Sequence, residues 1–202
     1  PYEIEDIDIP SSAACIKVIE YARTELPEPT FNHSMRVYYW GMALMKNYNP
    51  WELKNTEGLA ESFLLSCMLH DIGTAPQNIK STRLSFELWG AIKARELLPT
   101  FGAHEDQADL VAEVINRHQD LGEHGAAPAV LGLIYFGTLF DADNIGANAK
   151  LIHPSTLAAV VKEFPRIKWT SCFAATIREE VGAKPWAHTT VIDKFAETVE
   201  AN

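Results

Sequence analysis

The sequence predicts an all-α protein, and two observations support this fold class. Apolar residues recur every three or four positions through successive segments of the 202-residue chain, as they do on one face of an α-helix. The strict alternation that marks half-buried strands is nearly absent, and no internal repeat or low-complexity tract is visible. We therefore expect a single bundle of helices around a central buried helix.

Length and composition predict one domain. A chain of 202 residues with 47% apolar residues can form one sizeable core. We expect residues 13–202 to form that domain and the acidic residues 1–12 to form an extended arm. The longest stretch without charge, residues 125–140, is too short to cross a membrane and is interrupted by Pro128. Three cysteines without a Cys-x-x-Cys spacing indicate reduced thiols in a cytoplasmic protein.

The charge balance limits the classes of partner. A formal charge of −10 argues against binding to nucleic acid, because such proteins place Lys and Arg against phosphates. A polyanionic substrate is disfavoured for the same reason, unless a local Arg cluster outweighs the overall charge. A small neutral substrate would not be repelled, and a homo-oligomer stays open.

The first two helices are predicted from caps and prolines. Ser11 or Ser12 can cap a helix that ends at Pro27. The next helix is expected to begin at Thr30 or Asn32, and its apolar side then includes His33 in the first turn. We therefore expect this imidazole to point inward.

The third helix is the predicted centre of the bundle. It begins near Thr56 and is apolar on most sides, as expected for a buried helix. His70 and Asp71 follow at its end, and Gly73 occupies the position of a left-handed C-terminal cap. Six further helical patterns follow, over Ser81 to Leu97 with Pro99 as the stop, His104 to His118, Pro128 to Phe140, Ser155 to Phe164, Ser171 to Val181 with Gly182 as the stop, and Thr190 to the end.

Polar residues at inward-facing positions indicate a metal site. They are His33, His70, Asp71 and one of Asp141 or Asp143. Two imidazoles and two carboxylates form a nitrogen and oxygen set that suits zinc, iron, manganese or nickel. Adjacent helical residues diverge by about 100°, so an ion shared by the His-Asp pair must lie beyond the helix end.

Each candidate ligand also has a purely structural interpretation. A histidine in the first turn of a helix, such as His33, is often a surface or capping residue. Asp71 near a helix C-terminus meets the unfavourable end of the dipole, at a cost of roughly 0.3 to 1 kcal/mol, which a cation would compensate. Asp141 and Asp143 diverge by about 200° if helical, so only one of them can face the ion.

The ordered His, His-Asp and Asp motif resembles the HD-domain superfamily of metal-dependent hydrolases. The short sequence segments around it are similar to those of the fungal cyanamide hydratases, also called urea hydro-lyases, over nearly all of the chain from Ala22 to Thr190. These segments are Asn32-His33-Ser34-Met35-Arg36-Val37, Leu69-His70-Asp71-Ile72-Gly73-Thr74, Ser81-Thr82-Arg83-Leu84-Ser85-Phe86, Arg117-His118-Gln119-Asp120, Asp143-Asn144-Ile145-Gly146, Phe164-Pro165-Arg166 and Lys184-Pro185-Trp186-Ala187-His188-Thr189.

This resemblance implies one zinc ion in a single HD-type catalytic domain that hydrates cyanamide to urea. The implied ligands are His33, His70, Asp71 and a later Asp. The segment after Phe140 departs from the family sequence by one added residue. The match to Asn144 and its neighbours favours Asp143 as the ligand, whereas the match to the preceding residues favours Asp141; we take Asp143 as the expected fourth ligand.

Hydration of a nitrile carbon needs a hydroxide, which a zinc ion supplies by lowering the pKa of water towards about 7. A nearby imidazole must carry the proton to the nitrile nitrogen. His118 is our candidate, because it ends the inner stripe of its helix; the alternative is a core histidine bonded to Asp120 or to backbone. Further candidates for orienting water or binding substrate are Asp120, Thr138, Asn144, His188 and Glu87, the last as a partner for a ligating histidine.

Two rival functions are consistent with parts of the sequence. An HD-type phosphohydrolase acting on a nucleotide or phosphoester would use Arg36, Arg83 and Arg117 to hold phosphate. The acidic charge and the full-length resemblance argue against it. A non-catalytic, metal-stabilised binding module would be expected to lack a ligand, and the set of candidate ligands is complete.

Overall fold

The predicted all-α class is confirmed by a computed structural model, which describes residues 1–49, 52–53, 56–120, 125–142 and 149–201. Within these ranges there is no β-strand, and short 3₁₀ turns occur at Ile4–Asp6, Ile72–Thr74, Ala149–Leu151 and His188–Val191. The α-helices are α1 (Ala13–Glu25), α2 (Glu28–Tyr48), α3 (Leu59–Leu69), α4 (Pro76–Ile79), α5 (Phe86–Phe101), α6 (Glu105–Arg117), α7 (Ala129–Ala142), α8 (Pro154–Glu163), α9 (Trp169–Ala183) and α10 (Phe195–Glu200).

Helix α2 begins earlier than the sequence predicted. Its first residue is Glu28 rather than Thr30 or Asn32, and a proline occupies its first turn. Proline is tolerated there because the first turn has no intrahelical bond for its missing N–H to make. His33 therefore lies in the second turn and is 2% exposed, well inside the bundle.

The central helix α3 is buried and ends just before the His-Asp pair. Its neighbours are α1, α2, α6 and α7, which explains why its apolar residues cover most sides. The prediction that Gly73 is a left-handed cap is wrong, because no positive φ is found there and the residue lies in the 3₁₀ turn Ile72–Thr74. Glycine is needed for another reason: an added Cβ would lie 2.0 Å from the carbonyl oxygen of Phe86.

Three predicted helix limits are also wrong. Helix α5 begins at Phe86 instead of Ser81, passes through Pro99 and ends at Phe101, where Gly102 caps it with a left-handed φ of 100°. Helix α9 passes through Gly182, so this glycine is not its stop. The expected helix from Thr190 is instead a 3₁₀ turn followed by α10. Pro99 and Gly182 are therefore accommodated inside their helices, where local propensity alone would end them.

The buried residues form two hydrophobic clusters. The larger one fills the body around α2 and α3. The smaller one joins α9 and α10 to Ile79 and Phe86, and includes Trp169, Phe173 and Val199. The candidate site lies against the smaller cluster, because Trp169, Phe173 and Val199 line it beside the buried polar residues.

The N-terminal arm lies against the body. Tyr38 Oη donates to the carbonyl oxygen of Asp8 at 2.7 Å, and the Tyr2 amide donates to Thr156 Oγ1 at 2.6 Å. Ile7 is buried in the larger cluster. Among the helices of the described residues, none combines the length and apolar character that crossing a bilayer requires.

Candidate metal centre and its cavity

Three of the four predicted ligands come together at the buried end of α3. His33 Nε2 and His70 Nε2 are 3.2 Å apart, and Asp71 Oδ2 lies 3.8 Å from the former and 3.3 Å from the latter. These atoms are close enough to share one cation. Helix α2 contributes His33, while the turn after α3 contributes the other two side chains.

The hydrogen bonds of the two imidazoles assign their tautomers. His33 Nδ1 is 2.7 Å from Asp141 Oδ2, and His70 Nδ1 is 2.7 Å from the carbonyl oxygen of Cys67. Each Nδ1 therefore carries a proton and donates it away from the site. The lone pairs of both Nε2 atoms are left facing the same point, as metal-ligating histidines require.

Asp71 provides the test of whether a cation fits. Both carboxylate oxygens are buried and accept no hydrogen bond from the described residues. Burial would raise the pKa of Asp71, but His70, together with His33 and His118, outweighs it and lowers the pKa to about 2. A buried, ionised and unsatisfied carboxylate is costly unless a cation pairs with it. The donor set therefore fits a metal ion.

The pKa values of the two candidate imidazole ligands move in opposite directions. Burial lowers the pKa of His33, although Asp141 opposes this change. Burial also acts to lower the pKa of His70, but the Asp71 carboxylate and the Cys67 carbonyl outweigh it, so the pKa is raised. Asp71 thus favours positive charge at His70 Nε2, and a metal cation meets the same requirement by displacing the proton.

Asp141 lies behind His33 rather than among the three donor atoms. Its carboxylate accepts two bonds of 2.8 Å from Arg36 and one of 2.9 Å from Trp40 Nε1, besides the bond to His33. Although burial opposes it, the Arg36 guanidinium helps to hold the pKa of Asp141 well below its usual range. This carboxylate orients His33 and has little capacity left for an ion. Asp143 and Asn144 lie outside the described residues, so their roles stay predictions.

His118 completes the polar side of the site. Its Nδ1 donates to the carbonyl oxygen of Ile115 at 2.6 Å, and its Nε2 lies 3.9 Å from Asp71 Oδ1. Burial, and next the neighbouring His70, lower the pKa of His118 to about 4. The ring is therefore neutral at pH 7 and turns an unprotonated Nε2 towards the donor atoms.

The donor atoms form the base of a small cavity with a volume of about 70 Å³. A single water occupies roughly 30 Å³ in the liquid, so the cavity suits a few waters or a small molecule. Most of the other side chains that line it are apolar. The lining residues are His33, His70, Asp71, His118, Gln119, Thr138, Leu139, Trp169, Phe173, Ile192, Phe195 and Val199.

The remaining candidates are placed differently. Thr138 lines the cavity and donates its hydroxyl proton to the carbonyl oxygen of Ile134. Asp120 and His188 pair with each other at 2.5 Å, are partly exposed and are not among the lining residues. Glu87 is fully buried but bonds neither candidate imidazole, since both Nδ1 atoms have other partners.

Several lining residues were not anticipated from the sequence. Trp169 stacks on the His33 ring with centroids 3.8 Å apart and planes at 11°. Gln119 also lines the cavity, and its buried Oε1 atom has no hydrogen-bond partner among the described residues. Gln119 follows a residue that ends an inner stripe, which was a usable signal. The apolar residues of α9 and α10 gave no such signal, because apolar residues at helical spacing are found in every hydrophobic core.

The arginines of the rival phosphohydrolase are occupied elsewhere. Arg36 holds Asp141, Arg117 pairs with Glu113, and the Arg83 guanidinium lies over the Trp186 ring. No Lys or Arg of the described residues lines the cavity. A phosphate would thus meet the Asp71 carboxylate without a cationic side chain to hold it.

Comparisons with known proteins agree with the motif. A model of the HD domain matches residues 30–166, more than half of the chain. Cyanamide hydratase DDI2 and cyanamide hydratase DDI3 of Saccharomyces cerevisiae are each 39% identical to this chain over 196 residues, which cover 96% of it and 84% of each relative.

Proposed function

The chain belongs to the HD-domain family and, within it, to the cyanamide hydratase family, and from that premise we propose that it hydrates cyanamide to urea. The observation that carries the proposal is the pairing of three donor atoms with a small cavity that has no cationic side chain among the described residues. A small neutral nitrile fits these surroundings, whereas a phosphoester does not.

His33, His70 and Asp71 would hold the metal ion, with Asp143 as the proposed fourth ligand. A nitrogen and oxygen set with an open side suits zinc, although iron, manganese and nickel share these preferences. When bound, zinc supplies Lewis acidity that lowers the pKa of water to about 7, so that hydroxide is available at neutral pH.

His118 is the proposed proton carrier. Hydration adds the oxygen of water to the nitrile carbon and moves one proton to the nitrile nitrogen, which gives isourea and, by tautomerisation, urea. Because Nδ1 of His118 is bonded to Ile115, only Nε2 can accept that proton from water and return it to nitrogen. Its position 3.9 Å from Asp71 Oδ1 keeps it beside the candidate donor atoms.

Thr138 and Gln119 are the proposed partners of the substrate amino group. The Thr138 hydroxyl donates its hydrogen bond to the carbonyl oxygen of Ile134, so in the cavity its oxygen can only act as an acceptor. The Gln119 Oε1 atom is likewise an unused acceptor among the described residues. Two acceptors match the two N–H groups of cyanamide and would orient its nitrile carbon.

The function is tested by supplying the purified, metal-loaded protein with cyanamide and, separately, with a panel of nucleotides and phosphoesters. We expect urea from cyanamide and no release of phosphate. Phosphate release without urea would overturn the proposal in favour of the phosphohydrolase.

A further inference from the structure

The apolar side of the cavity comes from a part of the chain beyond the HD-domain match. Ile192, Phe195 and Val199, here called the C-terminal wall, line the same cavity as the candidate donor atoms. The match ends at residue 166, so these residues all follow it. We propose that the C-terminal wall determines substrate size and is the specificity-determining surface of the enzyme. This inference rests on the proposed function.

The wall extends from the interior of the cavity to the protein surface. Val199 is 3% exposed, whereas Ile192 and Phe195 are partly exposed and therefore lie at the outer edge. A substrate that reaches the donor atoms has to fit beside these side chains. Any substituent on its amino nitrogen would compete with them for space.

A chain of aromatic rings ties the wall to the donor atoms. Phe195 packs edge-on against Phe173 with centroids 6.1 Å apart, and Phe173 stacks on Trp169 at 5.3 Å. Trp169 in turn stacks on His33 at 3.8 Å. Close-packed side chains resist compression, so this chain fixes the distance between the wall and the candidate metal ligand.

Polar contacts anchor the same segment to the body. Glu180 Oε1 accepts from the Phe86 amide at 2.8 Å, and Lys184 Nζ donates to the Leu84 carbonyl oxygen at 2.7 Å. The His188 amide donates to Ser85 Oγ at 2.8 Å. The connection from α9 to the wall is therefore held at Glu180, Lys184 and His188, and the wall cannot withdraw to admit a larger substrate without straining these bonds.

The chemistry of the wall selects against charge as well as size. Its side chains offer no hydrogen bond, and the cavity has no Lys or Arg from the described residues. Moving an ion against this wall removes the hydration on that side of the ion without replacement. The wall thus favours small neutral nitriles, of which cyanamide is the least substituted amino form.

The test compares cyanamide with N,N-diethylcyanamide, which takes up one water to give N,N-diethylurea. A methylene group in an apolar pocket alters kcat/KM by about 10-fold to 200-fold. For Phe195→Ala and, as a second variant, Ile192→Ala, we expect the kcat/KM ratio of diethylcyanamide to cyanamide to rise about tenfold or more. Val191→Ala is the matched control, because Val191 lies in the same segment, is exposed and does not line the cavity.

A binding measurement separates this inference from the proposed function. Calorimetric titration with N,N-diethylurea reports the room in the cavity without turnover, and both wall variants should bind it about tenfold more tightly. Failure of the unaltered protein to form urea from cyanamide would overturn the function but not the wall. Unchanged ratios and unchanged affinities in folded, metal-loaded variants would overturn the wall.

Discussion

The two sides of the cavity are built by different means. On the donor side, His33, His70 and His118 each have a fixed partner for Nδ1, so that every ring orientation is set by a hydrogen bond. On the apolar side, the C-terminal wall has no hydrogen-bonding side chain; it is positioned by packing, together with the polar contacts that anchor the segment before it. The four polar residues of the donor side, His33, His70, Asp71 and His118, all lie within the HD-domain match, whereas the wall lies beyond the end of that match. The difference suggests that one region supplies chemistry and the other selects the substrate.

The largest expected effect comes from breaking the donor side at Asp71. In Asp71→Asn, the cation loses its only charged ligand among the described residues, and a bound metal is worth several kcal/mol of charge stabilisation. Because about 1.4 kcal/mol corresponds to a tenfold change in rate, urea formation should fall about 10³-fold or more. The variant should also lose bound metal. Elemental analysis measures the metal content and a urea assay measures the activity.

Asp109→Asn is the control for Asp71→Asn, since Asp109 is exposed and pairs with Arg95 on the surface. It should retain metal and activity. If Asp71→Asn retained full metal content and full turnover, the donor side would not be the metal centre.

The next largest effect is expected at Asp141, which lies behind His33 and orients its ring. Asp141→Asn weakens the bond that orients this ring, and such changes cost about 10-fold to 100-fold in metal affinity or activity. A competition titration with a chelator gives the affinity. Trp40→Phe removes a single bond to the same carboxylate and leaves its charge, so its effect should be smaller. Equal affinities in all three proteins would show that Asp141 does not position His33.

The donor side was easier to predict from sequence than the wall. The placement of His70 and Asp71 at a buried helix end follows from local periodicity, and His33 follows from the stripe of α2. The partnership of Asp141 with Arg36 joins residues 105 positions apart, which no local pattern encodes. The wall depends on how α10 packs on α9, and apolar residues alone do not specify that contact.

Gly73 illustrates a correct residue with a wrong reason. Its position after the His-Asp pair suggested a left-handed cap, but the structure needs it for close approach to the Phe86 backbone. Helix spacing reveals which residues share a face. It does not reveal which backbone segments from distant parts of the chain will touch.

Gly73→Ala tests the junction between the two sides. The new methyl group would clash with the Phe86 carbonyl oxygen, and Phe86 contacts both His118 and Phe173. Overpacking of this kind costs about 1 to 3 kcal/mol, so denaturant unfolding should show that loss. Gly182→Ala is the control, because a Cβ there meets no atom within 4 Å in the described structure and should not destabilise. Equal stability of the two variants would contradict the account of the junction.

Glu87 gives a pH-dependent effect at the same junction. Burial, reinforced by Glu180, Asp71 and Asp120, raises the pKa of Glu87 to about 8 in the folded protein, against an ordinary value of 4.5. The folded state therefore holds a proton that the unfolded state loses between these two values. Stability from this group is complete below pH 4.5 and falls as pH rises to about 8, by roughly 1.4 kcal/mol for each pH unit.

Glu87→Gln should remove that slope. The difference in unfolding free energy between the variant and the unaltered protein, measured from pH 5 to pH 8, should grow with pH in favour of the variant. A constant difference over this range would mean that Glu87 does not remain protonated in the folded state.

Zinc titration of the metal-free protein tests the central claim most directly, with urea formation from cyanamide as the readout. The account predicts no urea without metal, then a linear rise in urea formation with added zinc and saturation at one equivalent per chain. In Asp71→Asn, the rise and the saturation should both be absent. Full urea formation by the metal-free protein, or one tightly bound zinc per chain without any urea, would contradict it.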